Sequence, residues 1–599
     1  MYILALCAVI LLYRISTTHA LINPILPGWN PDPSILRVGD DYFIATSSFE
    51  YFPGVPIYHS KDLVSWELVG HGLNRPSQLG LYGTPSDAGV WAPALRYHGG
   101  VFYLATTTRY VYSPELRLFP RSFYVTTTDI FSNKWSDPTY IDGLGYDLDL
   151  FFDPSGDVYA SWAGINNAKD KIYGIYQSKI DVKTGNSLGP SNLIFTGTLP
   201  DNASARPEGP HVYFINGTYY LMIAEGGTDI HHRVTIQRGP APSGPWENNP
   251  ANPVLFNGAD LKNEVQWTGH ADLLQDSNGS WWGSALGVVP QQGNLSHIQL
   301  GRQTFLFPVI WESGWPVFND GKPLTLHLEG VLEDKQAVRE YSLEFALNTT
   351  QTTKTSLKSL DPMGSPVLDD TFYTLRTPQK PFYSLTARQG FLRLYGNAYK
   401  VGDRDTPALL LRKQGGYKET FEVILGQYTP RAGSPGGGVG TENGGREEAG
   451  ITILYSDFLH DDIGVTAANG TEGRVVVTRT IVQAEQIGPW ALGSENNTVI
   501  TETIYPLRTT SGPVKLTIKS DGLQYQLGFA EPEGAEGAES DAFGQTTWTG
   551  IVDAAALSLP VAGGFFFKGV AFGAYNTGGG RASLTPADFV YWKQTPEDG

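Results

Sequence analysis

Residues Glu208–Ala224 read EGPHVYFINGTYYLMIA, and their reading decides the fold. Asn216-Gly217 is a dipeptide suited to a two-residue hairpin turn, where both central residues take positive φ. Aromatic and β-branched residues on either side suit a pleated, half-buried surface. The stretch is therefore a β-hairpin with a carboxylate at its head. The same order of polar start, apolar strand, tight turn and aromatic-rich strand recurs four more times. It is found in DPSILRVGDDYFIATS from Asp32, WAPALRYHGGVFYLATT from Trp91, DLDLFFDPSGDVYASW from Asp147 and HADLLQDSNGSWWGSA from His270. The turns centre on Asp40, Gly100, Gly156, Gly217 and Gly279, in steps of 60, 56, 61 and 62 residues.

A repeat of this length holds two hairpins, which makes it a propeller blade rather than a solenoid coil. Intervening pieces such as VPIYHSKDLVSWELVG and YGIYQSKIDVKTG supply the outer strands. Five repeats predict a five-bladed β-propeller. The innermost strands of a propeller pack around its axis, so their starts ring one end of the channel. Asp32, Asp147 and Glu208 head three of those strands, which brings three carboxyl groups into one pocket. Pro31 and Pro33 restrict the backbone on both sides of Asp32 and pre-organise its short side chain.

The first residues, MYILALCAVILLYRISTTHA, have a short apolar core followed by Thr18-His19-Ala20, the pattern of a secretory signal over residues 1–20. No later run is long and apolar enough to span a bilayer. Cys7, the only cysteine, lies inside that segment. The mature chain is thus expected to lack disulfides and thiol chemistry and to rely on a large core. Asn-x-Ser/Thr sites at Asn202, Asn216, Asn278, Asn294, Asn348, Asn469 and Asn496 fit a secreted glycoprotein. A net charge of −18 argues against nucleic acid or an anionic membrane as partner. Abundant Tyr, Phe and Trp with few charges favour an all-β protein whose exposed rings can stack on a sugar.

The periodicity stops near residue 340, so the propeller is expected over 21–345. Residues 346–366 are Thr/Ser-rich and read as a linker. Residues 367–599 carry short alternating strands such as GFLRLYG, AGITILYS, GRVVVTRTIV and LQYQLGF, which fit a β-sandwich. Gly433–Gly450 and Glu531–Gly544 are Gly/Glu-rich loops.

Glycoside hydrolysis needs two carboxyl groups in different protonation states, one on each side of the bond. One activates water or attacks; the other must keep its proton near neutral pH. A third carboxylate nearby raises the acid's pKa by like-charge repulsion. Three convergent acidic residues meet that need, although Asp32 could instead cap a turn and Asp147 bind backbone amides.

Several motifs carry a resemblance: NPDPS at 30–34, SSFEYFPGVPIYHSKDLVSW, WAPAL, GYDLDLFFDPSG, EGPH with YYLMIAEGGT, and GHADL. Together they resemble the β-xylosidase and α-L-arabinofuranosidase group of glycoside hydrolase family 43. SLTARQGFLRLYGN and GGFFFKGVAFGAYN resemble the concanavalin-like jelly roll appended in its two-domain β-xylosidases. The resemblance implies an inverting mechanism with Asp32 as general base, Glu208 as general acid and Asp147 as the residue that raises and orients the acid. Base and acid are then expected ~6.5–9.5 Å apart, leaving room for water. Phe49 and Trp91 match aromatic walls of the sugar pocket, and Arg302 an arginine beside the bound sugar. Phe566 or its neighbour Phe567 matches an aromatic that reaches across from the sandwich to narrow the mouth.

His270 matches a histidine that binds a divalent ion in some members, which makes a structural calcium a candidate; the chemistry itself requires no cofactor. Asp149 departs from the family's small residue. By alternation it shares a face with Asp147, where it either perturbs the acid or is a hydrogen-bonded bystander. The expected activity is removal of terminal β-1,4-linked xylose from xylo-oligosaccharides. The alternatives are α-L-arabinofuranosidase action on arabinoxylan and, more distantly, a non-catalytic carbohydrate-binding protein.

Overall fold

The computed structural model describes residues 20–110, 120–164, 173–200, 205–329, 332, 340–345, 367–431, 446–468, 473–483, 498–533, 542–558 and 567–597. The expected linker 346–366 and all but the last residue of the expected signal lie outside the described residues, as does Phe566. Among the described residues the chain is nearly all β, with short 3₁₀ turns.

Five four-stranded antiparallel sheets follow one another in sequence; four are built from consecutive strands, and blade one skips only Tyr51–Phe52. Their innermost strands are Ser34–Val38, Gly89–His98, Gly145–Phe152, Glu208–Ile215 and Gln266–Gln275. Each pairs with its neighbour across the turn located in the sequence, for example Ile215 with Thr218 around Asn216-Gly217. The repeat is thus a propeller of five blades, as expected. The ring is closed by the N-terminal strand Ala20–Ile22, which pairs with His327–Glu329, while Ile25 and Asn30 donate backbone hydrogen bonds to Thr304 and Arg302 of blade five.

Every blade carries the same irregularity at the head of its inner strand. In blade four, Glu208 pairs with Ala224 and His211 with Met222, so Gly209 and Pro210 together oppose one residue. Trp91/Ala94, Tyr146/Asp149 and Gly269/Asp272 bracket the same bulge in blades two, three and five. Blade one repeats it, with Ser47 N bonding Pro31 O and Ser34 pairing with Ala45. The first bulged residue is left-handed in all five: Asp32 (φ 55°), Ala92 (32°), Asp147 (57°), Gly209 (56°) and His270 (50°). Such bulges bend the strand and re-aim side chains.

This bulge corrects two details of the sequence reading. Asp32 and Asp147 are register equivalents, but Glu208 stands one residue earlier, just before the left-handed position. The bulge also breaks the alternation that sends Asp149 to the face of Asp147. Asp149 is 2% exposed and points into the axial channel, where it is hydrogen-bonded. Its Oδ2 accepts from Arg96 Nη2 at 2.8 Å and lies 2.9 Å from His211 Nδ1. Arg96 Nη1 donates to Asp272 Oδ2 at 2.9 Å, and Asp272 also accepts from Ser34 Oγ (2.8 Å) and Tyr213 OH (2.6 Å). One guanidinium thus ties together residues of all five blades directly below the mouth.

The second region is a sandwich of two eight-stranded antiparallel sheets around a large apolar core that includes Phe421, Phe572 and Trp592. Tyr341–Glu344, before the expected linker, pairs with Ala587–Pro596 and belongs to the sandwich. So does Tyr51–Phe52 of blade one, which pairs with Thr374 and Leu375. The two regions therefore share a sheet.

Candidate active site

The propeller mouth collects the three expected carboxyl groups and Arg302. Asp32 is 5% exposed. Its Oδ1 accepts from Arg302 Nη1 at 3.0 Å and its Oδ2 from Ser47 Oγ at 2.5 Å, while His270 Nδ1 stands 3.8 Å from Oδ1. Ser47 is held in turn by the backbone N–H of Ala92 at 2.7 Å. Burial would raise the pKa of Asp32, but Arg302, His270 and the Ser47 hydroxyl outweigh it and hold the carboxyl below its ordinary range. Asp32 is therefore ionised throughout the neutral range.

Glu208 lies in the opposite regime. Burial and the charge of Asp32 push its carboxyl up to about 7, against smaller opposing effects from Arg302, Arg206 and the Tyr146 hydroxyl, which lies 3.4 Å from Oε2. Asp147 is also raised, by burial first and then by Glu208 and Asp32. Its Oδ2 accepts from the backbone N–H of Gly209 at 3.0 Å, so Asp147 holds the peptide that follows the acid. Both Glu208 and Asp147 are thus raised, and between them they retain a proton at neutral pH. An ionised carboxylate and a proton-bearing one thus share a single mouth.

Two histidines pack around this group without charge. Burial lowers His232 to about 3 and His270 to about 4. His232 is buried with Nε2 3.8 Å from Glu208 Oε1. Its ring lies where a Cβ on Gly269 would come within 2.4 Å, so glycine there makes room for it. No motif or spacing signals this contact. The donor set does not fit a calcium at His270. Among the described residues no three His or acidic side chains converge in metal-binding spacing, and Asp149 and Asp272 below it are taken up by Arg96.

The walls are aromatic. Trp91 is partly exposed, packs edge-on to Tyr146 (5.7 Å between centroids) and donates Nε1 to Asp87 O at 2.9 Å. Phe567 arrives from the sandwich, 5.3 Å from Trp91 and 6.0 Å from Phe49, with the Arg302 guanidinium 5.1 Å from its ring. Its carbonyl accepts from Arg302 Nε at 3.0 Å. Phe49 is only 1% exposed and packs behind Phe567 and against Trp29. The sandwich therefore contributes directly to the mouth.

A propeller mouth that pairs an ionised carboxylate with a protonated one under aromatic walls defines a hydrolase of glycosidic bonds. The chain belongs to glycoside hydrolase family 43: residues 21–316 match the model described as glycosyl hydrolases family 43. Residues 364–595 match that of the β-xylosidase C-terminal concanavalin A-like domain. It is 36% identical over 577 residues to a non-reducing-end α-L-arabinofuranosidase of Bacteroides ovatus, covering 95% of this chain and 94% of that one. It is 30% identical to a xylosidase/arabinosidase of Humicola insolens, covering 95% and 97%. A crystal structure of a xylan β-1,4-xylosidase from Bacillus halodurans superposes with a TM-score of 0.80 at 29% identity, covering 96% of this chain and all of that one.

Proposed function

We propose that the protein is a secreted exo-glycosidase that removes the terminal β-1,4-linked xylose of xylo-oligosaccharides with inversion. The observation that carries the chemistry is the opposite displacement of the Asp32 and Glu208 carboxyls within one buried mouth. In this reading Asp32 takes a proton from water as the water oxygen bonds to the anomeric carbon. The bond from that carbon to the glycosidic oxygen breaks on the other face, and Glu208 gives its proton to that oxygen. The products are xylose of inverted configuration and a glycan one unit shorter. Asp147 holds the Gly209 peptide beside the acid, while burial and the charge of Asp32 keep the acid's proton in place. Phe567, brought in by the sandwich, favours a chain end over the middle of a polymer.

Xylose as the sugar is supported by the likeness to the Bacillus xylosidase and by the match of the whole second region to a β-xylosidase domain. The name of the Bacteroides relative favours a second reading, release of α-L-arabinofuranosyl groups. Comparing kcat/KM on aryl β-xyloside and aryl α-L-arabinofuranoside decides between them. A preference for the xyloside of tenfold or more is expected; the reverse order assigns the second reading.

A further inference from the structure

Lys568 follows Phe567 in the sandwich, and its ammonium is wholly buried between two propeller carboxylates. It lies 3.0 Å from Glu50 Oε1 and 3.1 Å from Asp87 Oδ1, all three side chains being 4% exposed or less. Burying such a triad is unfavourable unless geometry and further hydrogen bonds repay the lost hydration, so it is weak evidence for stability by itself. The two regions are also joined without it. Arg376 of the sandwich is buried, paired with Asp457 and bonded through Nε to Thr84 O at 2.7 Å.

The contacts of the triad lead toward the mouth. Asp87 Oδ1 accepts from the Phe567 backbone N–H at 3.2 Å, and its carboxylate also takes the Tyr455 hydroxyl. The Asp87 carbonyl fixes Trp91, and its backbone N–H donates to Glu50 Oε2 at 3.0 Å. Glu50 adjoins Phe49, whose ring stacks on Phe567. From Phe567 the path continues through its carbonyl to Arg302 Nε and from Arg302 Nη1 to Asp32.

We propose that Lys568 is a positioning residue for hydrolysis: by clamping Asp87 and Glu50 it sets the Trp91 and Phe567 walls and, through the Phe567 carbonyl, aims Arg302 at Asp32. This rests on the reading of Asp32 as base. A residue that only joins the two regions would alter melting temperature and leave the pH profile in place. A positioning residue moves the acid limb of kcat/KM, which reports Asp32. Arg302, His270, His232, Asp147 and Glu208 all face that carboxyl, but only Arg302 is linked by this path to Lys568.

The test compares wild type, Lys568→Met, the Lys568→Met/Glu50→Gln double variant, which also removes the carboxyl that burial pushes up to about 7, and Lys568→Arg. Folding is checked by melting temperature, and kcat and KM are measured on aryl β-xyloside from pH 3 to 9. A folded neutral variant is expected to lose roughly tenfold or more in kcat/KM, as small misplacements at a reacting centre do. Its acid limb should move upward by about half a pH unit or more as Arg302 turns from Asp32, with partial recovery in Lys568→Arg. A folded neutral variant with wild-type acid limb and kcat/KM within about twofold of wild type overturns the proposal. So does failure of both neutral variants to fold while Lys568→Arg is fully active, because the lysine then serves stability. Asp32→Asn, run alongside, tests the base separately: if it retains wild-type turnover, the reading of the base fails whatever Lys568 does.

Discussion

The proton on Glu208 allows a test that separates acid from base. With its carboxyl at about 7, half of the enzyme is competent to protonate a leaving group at pH 7. About one-tenth is competent at pH 8 and one-hundredth at pH 9, so kcat/KM on xylobiose should fall roughly tenfold per unit on the basic side. The acid side is set by Asp32, whose depressed pKa places that limb below the ordinary aspartate range. Activity on xylobiose should therefore be high between those limits. A dinitrophenyl β-xyloside leaves without a proton, so its basic limb should flatten. Glu208→Gln should cost roughly 10²–10⁴-fold on xylobiose and little on the dinitrophenyl substrate. Asp32→Asn should impair both, because water must be deprotonated in either case. Steady-state rates of the three proteins on the two substrates from pH 3 to 9 give all of these values. Equal losses on both substrates in Glu208→Gln, or a basic limb that does not depend on the leaving group, would refute the assignment of the acid.

Further outcomes follow from the same geometry. Between pH 4.5 and about 7 native Glu208 keeps a proton that the unfolded chain has lost, so this group's contribution to stability declines as pH rises through that window. Glu208→Gln should therefore raise the melting temperature above pH 7, by up to ~3 kcal/mol of stability at about 1.4 kcal/mol per pKa unit, and show no gain below pH 4.5. Arg96→Leu leaves Asp149 and Asp272 buried without their shared cation and should cost about 3–5 kcal/mol in denaturant unfolding. Trp91→Ala should raise KM about tenfold, equivalent to ~1.4 kcal/mol of lost binding, and change kcat less. Proton NMR of freshly cleaved β-xyloside should show α-xylose first; β-xylose appearing first would exclude inversion.

The architecture was legible because Asn216-Gly217 and its four counterparts are local turn signals at near-constant spacing. The convergence of Asp32, Asp147 and Glu208 follows from that spacing, and the roles proposed for them from the motifs around them. What escaped depends on the bulge or on distance along the chain. Alternation misplaced Asp149 because a two-against-one bulge leaves no mark in a hydrophobic pattern. His232, Asp87 and Lys568 meet the site only through packing, and Lys568 lies 481 residues from Asp87 in sequence. For the walls, the motif pointed to an aromatic at Phe566 or Phe567; Phe567 stands beside Trp91 at the mouth, and Phe49 packs behind it.

The bulge also explains why these residue types occupy the mouth. A left-handed backbone disfavours most side chains by roughly 1–2 kcal/mol, with Gly free and Asp, Asn and His most often tolerated. Four of the five left-handed positions hold Asp32, Asp147, Gly209 and His270, and Ala92 is the exception. The geometry at the head of each inner strand thus selects the short acids and imidazole that hydrolysis can use. Glu is not among the tolerated types. The longer acid stands one residue earlier instead, where φ is ordinary, and Gly209 takes the strained position after it. A Cβ on Gly209 would meet the His270 ring at 3.0 Å, and its N–H is the donor that Asp147 holds. Glu208-Gly209 is therefore one unit: the glycine absorbs the bulge, clears the histidine and anchors Asp147, which leaves the glutamate outside the strained position.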